Sequence, residues 1–388
     1  MRLVGPDSAP RTTHFLWRRV VSVGALLLTS SCAALLLAEA GVRVLHLHAP
    51  SLAPKSGSDR ALWVYDATKG WFHAPHAAGV CDYGGPDHGV VRINSWGLRG
   101  AEIEGPKPAG RRRVLVFGDS FAFGVGVDEP HLFTTRLEHS LTEAGDDVEV
   151  VNMGVSGYAT DQELILLEEL GPQLAPDLVL LVMCDNDFEE NGLDLVYQQY
   201  EKPYFGLSSA GILTLHNSPV PRFAGEQRAK LWLGEHSHLW NLVRCRHSTN
   251  TRLQGWINLL EPTLPRHETA DTMLLTSALV HAFRADCERL GAQLVTLNTG
   301  HRGEHTKLFQ ALRVYLSNER TLYLGLEAPL GEARRSRPSG RWDFPADIHW
   351  NVDAHWLAAR VVANFVFQHH LLRPRRPAST TSTGTPPS

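Results

Sequence analysis

The stretch Arg111–Val127, RRRVLVFGDSFAFGVGV, contains an apolar run that ends abruptly in Gly118-Asp119-Ser120. Four consecutive apolar residues, Val114–Phe117, are typical of a strand that is buried on both faces of a parallel sheet. Two more glycines follow in the next loop. A serine at such an exit can be a plain helix cap, and it can also be a nucleophile held at the rim of a sheet.

Further apolar runs predict more strands, with helices between them. The predicted strands are Val114–Phe117, Val148–Asn152, Leu178–Met183 and Gln293–Leu297. The predicted helices are His131–Glu143, Asp161–Leu174, Asp271–Leu290, Lys307–Leu316 and Ala354–His369. This alternation predicts an α/β protein, a three-layer α/β/α sandwich around a mostly parallel, doubly wound sheet of the flavodoxin-like kind. In such a sheet the active site lies at the carboxyl ends of the strands.

The composition is that of an ordinary globular protein. Of the 388 residues, 43% are hydrophobic and 20% are charged, and the formal net charge is −4. No basic surface is expected, so nucleic acid is not an expected partner. The five cysteines show no paired spacing, which argues against a zinc site and against a dense disulfide framework.

The first residues differ from the remainder of the chain. Arg18 and Arg19 precede an uncharged apolar run, Val20–Ala38, of about the length that crosses a bilayer core. A positive flank stays in the cytoplasm. We therefore expect residues 1–19 in the cytoplasm, a single anchor over 20–40, and the body of the protein on the extracytoplasmic, periplasmic side.

Two alternatives keep the same placement of the body. Ala38-Glu39-Ala40 fits an A-x-A cleavage site, so the segment can also be a signal peptide whose removal leaves a secreted protein. Lipidation at Cys32 is less favoured because the apolar run continues well past that cysteine.

Composition divides the remaining chain. Residues 41–110 are a Gly- and Pro-rich lead-in, and residues 111–372 are the main domain. A long insertion runs from about residue 189 to about residue 268, and a hairpin around Ser208–Gly211 is predicted within it. The segment 373–388 is rich in Pro, Ser and Thr, which predicts a disordered tail.

Three strand exits carry residues suited to acyl-transfer chemistry. Ser120 follows the first strand, and a serine needs a base to take its proton and N–H donors for the developing oxyanion. Gly154 follows the strand that Asn152 closes, and a glycine there can point its N–H into a cleft. Asn186 follows the apolar run Leu178–Met183, and its amide can donate to an oxyanion without adding charge.

A fourth candidate lies before the last predicted helix. Asp347 and His349 are two residues apart, so in an extended segment their side chains point the same way. The carboxylate can then orient the imidazole toward the serine. His355 is the second-choice base, although it lies in a helical pattern. A metal site formed by Asp347, His349 and His355 is not favoured because no matching second cluster exists.

These segments together resemble the SGNH (GDSL-type) hydrolase superfamily. FGDSF, NMGVSG, CDND and DIHW resemble its four blocks. The resemblance implies that Ser120 is the nucleophile and a main-chain oxyanion donor, with Gly154 and Asn186 as the other donors. It implies that Asp347 and His349 complete a catalytic triad and that no metal or organic cofactor is needed.

The resemblance covers about residues 113 to 369, apart from the insertion, and has two departures. Cys184 stands where the third block has glycine, and the last block is Asp-x-His where Asp-x-x-His is usual. Asp-x-His-Trp resembles the alginate O-acetyltransferase-like branch. The lead-in segment 92–100, RINSWGLRG, is similar to membrane-anchored bacterial members.

The sequence therefore predicts an exported, membrane-anchored serine esterase. Its substrate is expected to be an O-acyl group, acetyl in the first place, on a carbohydrate or cell-envelope glycan. The alternative with the same triad is an O-acyltransferase of exopolysaccharide or cell-envelope assembly. A third hypothesis, motivated by Cys184, is a non-catalytic glycan-binding module on the same fold.

Overall fold

The computed structural model describes residues 12–45, 62–81, 87–196, 200–222, 237–240, 269–300, 306–337, 342–344 and 347–372. The chain forms two compact units, one of residues 1–53 with 225–264 and one of residues 54–224 with 265–388. The predicted tail at 373–388 and most of the insertion beyond residue 222 lie outside the described residues.

The helices and strands are as follows. The helices are α1 Thr12–Val44, α2 Ser120–Phe123, α3 Phe133–Glu143, α4 Thr160–Leu174, α5 Asp187–Glu190, α6 Thr269–Arg289, α7 Thr306–Asn318, α8 Glu327–Ser336 and α9 Val352–Gln368. The strands are β1 Trp63–Asp66, β2 Gly70–His73, β3 Ala78–Val80, β4 Val90–Arg92, β5 Arg112–Gly118, β6 Val148–Asn152, β7 Leu178–Met183, β8 Leu195–Val196, β9 Tyr200–Glu201, β10 Tyr204–Leu207, β11 Leu213–His216, β12 Gln293–Asn298 and β13 Leu322–Gly325.

The smaller unit contains α1. Its part Val21–Val44 has 24 residues and a mean hydropathy of 2.1, so it is long and apolar enough to cross a membrane. A signal sequence near an N-terminus has the same properties. Near the end of this helix the Glu39 carboxylate accepts hydrogen bonds from the Ser237 hydroxyl and from the N–H groups of His238 and Leu239, at 2.8 to 2.9 Å.

The larger unit is built on a five-stranded parallel sheet in the order β13-β12-β7-β5-β6. The predicted α/β fold is confirmed, and all four predicted strands are in this sheet. The chain order reverses between β5 and β7, and the crevice at such a switch point is where open α/β sheets bind ligands. Ser120 and Asn186 follow these two strands, so the fold brings their segments to one end of the sheet.

Helices cover both faces of the sheet. Along β5 the side chains of Leu115 and Phe117 pack in the apolar layer under α4, α6 and α7. Those of Val114 and Val116 pack in the layer under α3, α8 and α9. All of these residues are fully buried. The alternation follows from the period of two in a strand, and it explains why β5 is apolar at successive positions.

Some elements were not predicted. The edge strand β13 has four half-buried residues, Leu-Tyr-Leu-Gly, so its apolar run is only three residues long. The lead-in, predicted to be loop-rich, contains two antiparallel pairs, β1–β2 and β3–β4, of three or four residues each. The predicted hairpin of the insertion is present, because β10 pairs with β11 across residues 208–212.

Candidate active site

Ser120 is the first residue of α2, directly after β5. The turn is tight: a Cβ on Gly118 would lie 2.6 Å from Ala122 Cβ and 2.9 Å from the Val182 oxygen, so only glycine fits. Asp119 caps the helix, because its Oδ1 accepts a hydrogen bond from the Phe121 N–H at 2.9 Å. The end of β5 and the Asp119 cap thus hold Ser120 at the carboxyl edge of the sheet, where it is half-buried.

The structure brings three of the predicted residues into one hydrogen-bonded chain. Ser120 Oγ and His349 Nε2 are 2.6 Å apart. His349 Nδ1 is hydrogen-bonded to Asp347 Oδ1, and the same oxygen accepts the main-chain N–H of His349 at 2.8 Å. Since one carboxylate oxygen binds both the ring and the main chain two residues on, the Asp-x-His spacing forms a compact turn.

The loop that carries His349 is held by aromatic packing and by a helix cap. The His349 ring lies 4.9 Å from the Phe121 ring, and Trp350 packs edge-on against Phe121 at 5.4 Å between ring centroids. The Trp350 indole N–H donates to the Thr299 carbonyl at 3.2 Å. Asn351 caps α9. Phe121, which follows Ser120, and Trp350, which follows His349, therefore pack together and hold the two segments in place.

The pKa shifts of Asp347 and His355 indicate different roles for the two residues. Partial burial raises the pKa of Asp347, but its hydrogen bonds to His349 outweigh this and keep the pKa below its usual value. His355 is fully buried, which lowers its pKa to about 3, and the charges of Arg99 and His349 act in the same direction. Its Nδ1 accepts the Phe133 N–H at 3.0 Å. His355 is thus a neutral structural acceptor.

The three proposed oxyanion donors differ in availability. Within the described residues no acceptor takes up the Ser120 N–H. The Gly154 N–H donates to Asn152 Oδ1 at 2.9 Å, and the Asn186 amide donates to Glu190 Oε2 at 3.0 Å. An oxyanion must therefore share the single Gly154 N–H with Asn152, whereas the Asn186 amide has a second N–H beside the one bound to Glu190.

Gly154 also allows its loop to approach α2 closely. A Cβ at this position would lie 2.3 Å from the Phe123 nitrogen and 2.7 Å from the Ala122 carbonyl carbon. Because both contacts are with backbone, a side chain at 154 would push the nucleophile helix away. The glycine in the second block therefore has a steric role that does not depend on its N–H.

Cys184, the departure in the third block, points into the core. Its side chain is buried in the apolar layer under α3 and α9, and burial raises the pKa of its thiol. Its N–H donates to Asp187 Oδ2 at 2.6 Å, as the first residue of a tight turn. Where the third block usually has a glycine, this chain therefore has a side chain that packs in the apolar core.

A cluster of buried acids beneath the site was not predicted. Asp119, Asp161, Glu163 and Asp187 are all buried, and burial raises the pKa of each. The ammonium of Lys202, also fully buried, pairs with Asp161. Neither oxygen of Glu163 has a hydrogen-bond partner among the described residues. Glu163 is therefore expected to be largely neutral, because an unpaired buried carboxylate is costly.

Glu190, at the edge of this cluster, gives a pH prediction. Burial raises its pKa to about 7, against the opposing effects of the Asn186 hydrogen bond and Lys202. Between pH 4.5 and 7 the folded protein keeps a proton that the unfolded chain releases, so this contribution to stability is lost as the pH rises. Glu190→Gln should therefore raise the free energy of unfolding at pH 8 by on the order of 1 kcal/mol, and change it little at pH 4.

Thermal or urea unfolding at the two pH values measures this difference. The matched control is Glu189→Gln, on the exposed side of the same helix, which should show no such dependence on pH. Equal effects of Glu190→Gln at pH 4 and pH 8 would contradict the assignment.

Within the described residues no group of three or more His, Cys, Asp or Glu side chains is arranged to hold a metal ion.

Comparison with known proteins finds a family and several relatives to which the chain is similar. The GDSL-like Lipase/Acylhydrolase family model matches residues 116–357, which include all five predicted site residues. An arylesterase of Vibrio mimicus is 37% identical over 75 residues, 19% of this chain. The match spans only 38% of the length of that relative.

Solved structures of similar fold were also found. TesA is 16% identical, with a TM-score of 0.38 over 67% of this chain and 100% of its own. The psychrotrophic esterase EstA from Pseudoalteromonas sp. is 12% identical, with a TM-score of 0.38 over 67% of this chain and 98% of its own. Axe2, an acetylxylan esterase from Geobacillus stearothermophilus, is 13% identical, with a TM-score of 0.35 over 68% of this chain and 97% of its own.

Proposed function

The chain belongs to the GDSL-like lipase/acylhydrolase family, a family of ester-hydrolysing enzymes, and on that premise we propose that it is a membrane-anchored serine esterase acting outside the cytoplasm. The observation that carries the proposal is the 2.6 Å contact between Ser120 Oγ and His349 Nε2, with Asp347 on the other ring nitrogen. A serine within hydrogen-bond reach of a base that a carboxylate orients is the arrangement required for nucleophilic catalysis.

The proposed reaction has two steps. Ser120 Oγ gives its proton to His349 Nε2 and attacks the ester carbonyl carbon, and the bond to the alcohol oxygen breaks as His349 returns the proton to that oxygen. Water then gives a proton to His349 and attacks the acyl carbon, and the bond from that carbon to Ser120 Oγ breaks as His349 returns the proton to Oγ and the carboxylic acid leaves. Asp347 holds the ring tautomer and stabilises the imidazolium that forms in each step.

The proposed oxyanion donors are the N–H groups of Ser120 and Gly154 and the amide of Asn186. The Ser120 N–H is available without rearrangement. The Gly154 N–H would turn from Asn152 toward the oxyanion as negative charge develops, and the Asn186 amide can use its second N–H while the first stays on Glu190. Each such donor is worth about a hundredfold or more in rate in serine hydrolases.

The proposed location follows from the N-terminal helix. Arg18 and Arg19 stand before the apolar part of α1, and such a flank favours retention in the cytoplasm. Residues 41–110 and 111–372, the lead-in and the hydrolase domain, would then lie in the periplasm or at the cell surface. Cleavage of the segment would release the same domain.

The proposed substrate is an O-acetyl ester of a carbohydrate or cell-envelope glycan. Support comes from the placement outside the cytoplasm and from the segment Asp347–Trp350, which resembles the acetyl-transferring branch in sequence. The alternative of a non-catalytic binding module is motivated by Cys184. Because the Cys184 thiol packs in the core, its contacts support an enzyme instead.

The substrate proposal is tested with the detergent-solubilised chain and acetylated xylo-oligosaccharides or p-nitrophenyl acetate. We expect acetate release from the acetyl esters, and a rate of p-nitrophenol release that falls as the acyl group of the p-nitrophenyl ester is lengthened to octanoyl. An unacetylated glycan is then added as acceptor. Release that continues unchanged supports the esterase, whereas transfer of acetyl to the glycan at the expense of free acetate supports the O-acyltransferase. Binding of acetylated glycan without any turnover would support the binding module and contradict the proposal.

A further inference from the structure

A buried arginine of the lead-in touches the main chain just after the nucleophile helix. Arg99 is 2% exposed. Its Nη1 donates to the carbonyl oxygens of Phe123 at 2.8 Å and Gly124 at 2.6 Å. Its Nη2 donates to those of Val127 at 2.6 Å and Val90 at 3.0 Å. One guanidinium thus binds three carbonyls of the segment that follows α2.

The positive charge of Arg99 is stabilised by these carbonyl groups and, at longer range, by the charges of Asp128 and Glu129. No carboxylate of the described residues lies within ion-pair distance, and the guanidinium also packs over the Phe123 ring at 4.9 Å. Burial lowers the pKa of Arg99 to about 10, so the side chain is still a cation at neutral pH. Burying a cation is costly unless its hydrogen bonds are made, which ties the charge to this one arrangement of the loop.

The bound carbonyls belong to peptide groups that also hold Ser120. The peptide group between Phe123 and Gly124 donates its N–H to the Ser120 carbonyl at 2.9 Å, and the one between Gly124 and Val125 donates to the same oxygen at 3.3 Å. Arg99 and the Ser120 carbonyl are therefore connected through two peptide groups. Hydrogen bonds in such a chain polarise and strengthen one another.

We propose that Arg99 is a positioning residue for the nucleophile. By fixing the two peptide groups it holds the Ser120 main chain, and with it the direction of the Ser120 N–H and of Oγ toward His349. The inference rests on the proposed function of Ser120. A displacement of about 1 Å in a reacting group can cost about a hundredfold in rate, so loosening this connection should be visible in kcat.

The test compares Arg99→Met and Arg99→Lys with the wild type, using kcat and KM for p-nitrophenyl acetate and the rate of labelling by a fluorophosphonate probe. We expect Arg99→Met to lower kcat and the labelling rate by about 10- to 100-fold, with KM within about threefold. Arg99→Lys should be intermediate, because an ammonium keeps the charge but not the planar fork that reaches four carbonyls.

The matched control is Arg113→Met. Arg113 is another fully buried arginine, at the opposite end of β5, where it binds the Leu174 carbonyl and Glu149. This variant should lower the melting temperature without lowering kcat per folded molecule. The contrast between the two arginines separates positioning of Ser120 from a general loss of stability.

Each outcome decides between the claims. A folded Arg99→Met with wild-type kcat and labelling rate overturns the inference, and so does an equal kcat loss in Arg113→Met. If Arg99→Met does not fold, Arg99→Lys decides, and wild-type kcat in that variant overturns the inference. If the wild type itself neither hydrolyses nor labels, the proposed function fails and the inference falls with it.

Discussion

Ser120→Ala is expected to lower kcat for ester hydrolysis by about 10⁴-fold or more. The variant keeps the fold, because Ser120 contributes its main chain, and not its hydroxyl, to α2. It loses the oxygen that we propose forms the acyl-enzyme, and the activity that remains would come from binding and oxyanion contacts. KM should change little, since the hydroxyl acts mainly in the transition state. Steady-state kinetics of the detergent-solubilised chain measure both constants.

The control for this variant is Ser140→Ala. Ser140 lies on α3, where its hydroxyl donates to the Arg136 carbonyl at 2.9 Å within the same helix. This variant should keep wild-type kcat. A Ser120→Ala protein that retains more than about a hundredth of the wild-type kcat, with the Ser140 control intact, would show that the hydrolysis does not proceed through Ser120.

His349→Gln is expected to lower kcat by about 10⁴-fold, whereas His355→Gln should keep kcat per folded molecule. Glutamine cannot take the proton of Ser120 Oγ, which lies 2.6 Å from His349 Nε2. His355 instead accepts the Phe133 N–H in the core, and a glutamine oxygen can replace that acceptor at some cost in stability. Activity normalised to the folded fraction, measured by circular dichroism, separates the two effects.

This pair of histidine variants also tests the Asp-x-His spacing. Asp347→Asn should lower kcat strongly, because an amide can no longer stabilise the His349 imidazolium that forms in each step. If His355→Gln abolished turnover while His349→Gln preserved it, the assignment of the base would be wrong. The proposal would then have no account of the hydrogen bonds between Asp347 and His349.

The central sheet could be predicted because its signals are local. β5, β6, β7 and β12 are rich in apolar residues, and the alternation of such segments with helical patterns along the chain implies a parallel sheet. The positions of Ser120 and Asn186 followed from the same rule, since residues after parallel strands meet at one edge. The edge strand β13 was missed because its apolar run, Leu322–Leu324, is only three residues long.

Contacts between distant segments could not be predicted. Arg99 lies in a motif noted for its resemblance alone, and nothing in its neighbourhood along the chain indicates that it binds the carbonyls of residues 123 to 127. The same holds for Lys202, which joins the insertion to Asp161. The side chains of Arg99 and Lys202 are 2% exposed or less, although arginine and lysine are usually exposed.

The availability of the oxyanion donors is a further case. The sequence indicates a glycine at 154 and an asparagine at 186, but not the acceptors that occupy them in the free protein. Those acceptors come from Asn152 and Glu190, two and four residues away, and either could have pointed elsewhere. A spacing rule cannot choose between such side-chain orientations.

The most direct test of the central claim is the intact mass of the full-length, detergent-solubilised protein after reaction with a fluorophosphonate. If Ser120 is a nucleophile activated by His349, the wild type gains one probe mass per chain, peptide mapping places it on Ser120, and Ser120→Ala and His349→Gln gain none within the same time. A folded wild type that stays unlabelled, or a label that persists in Ser120→Ala, would contradict the account.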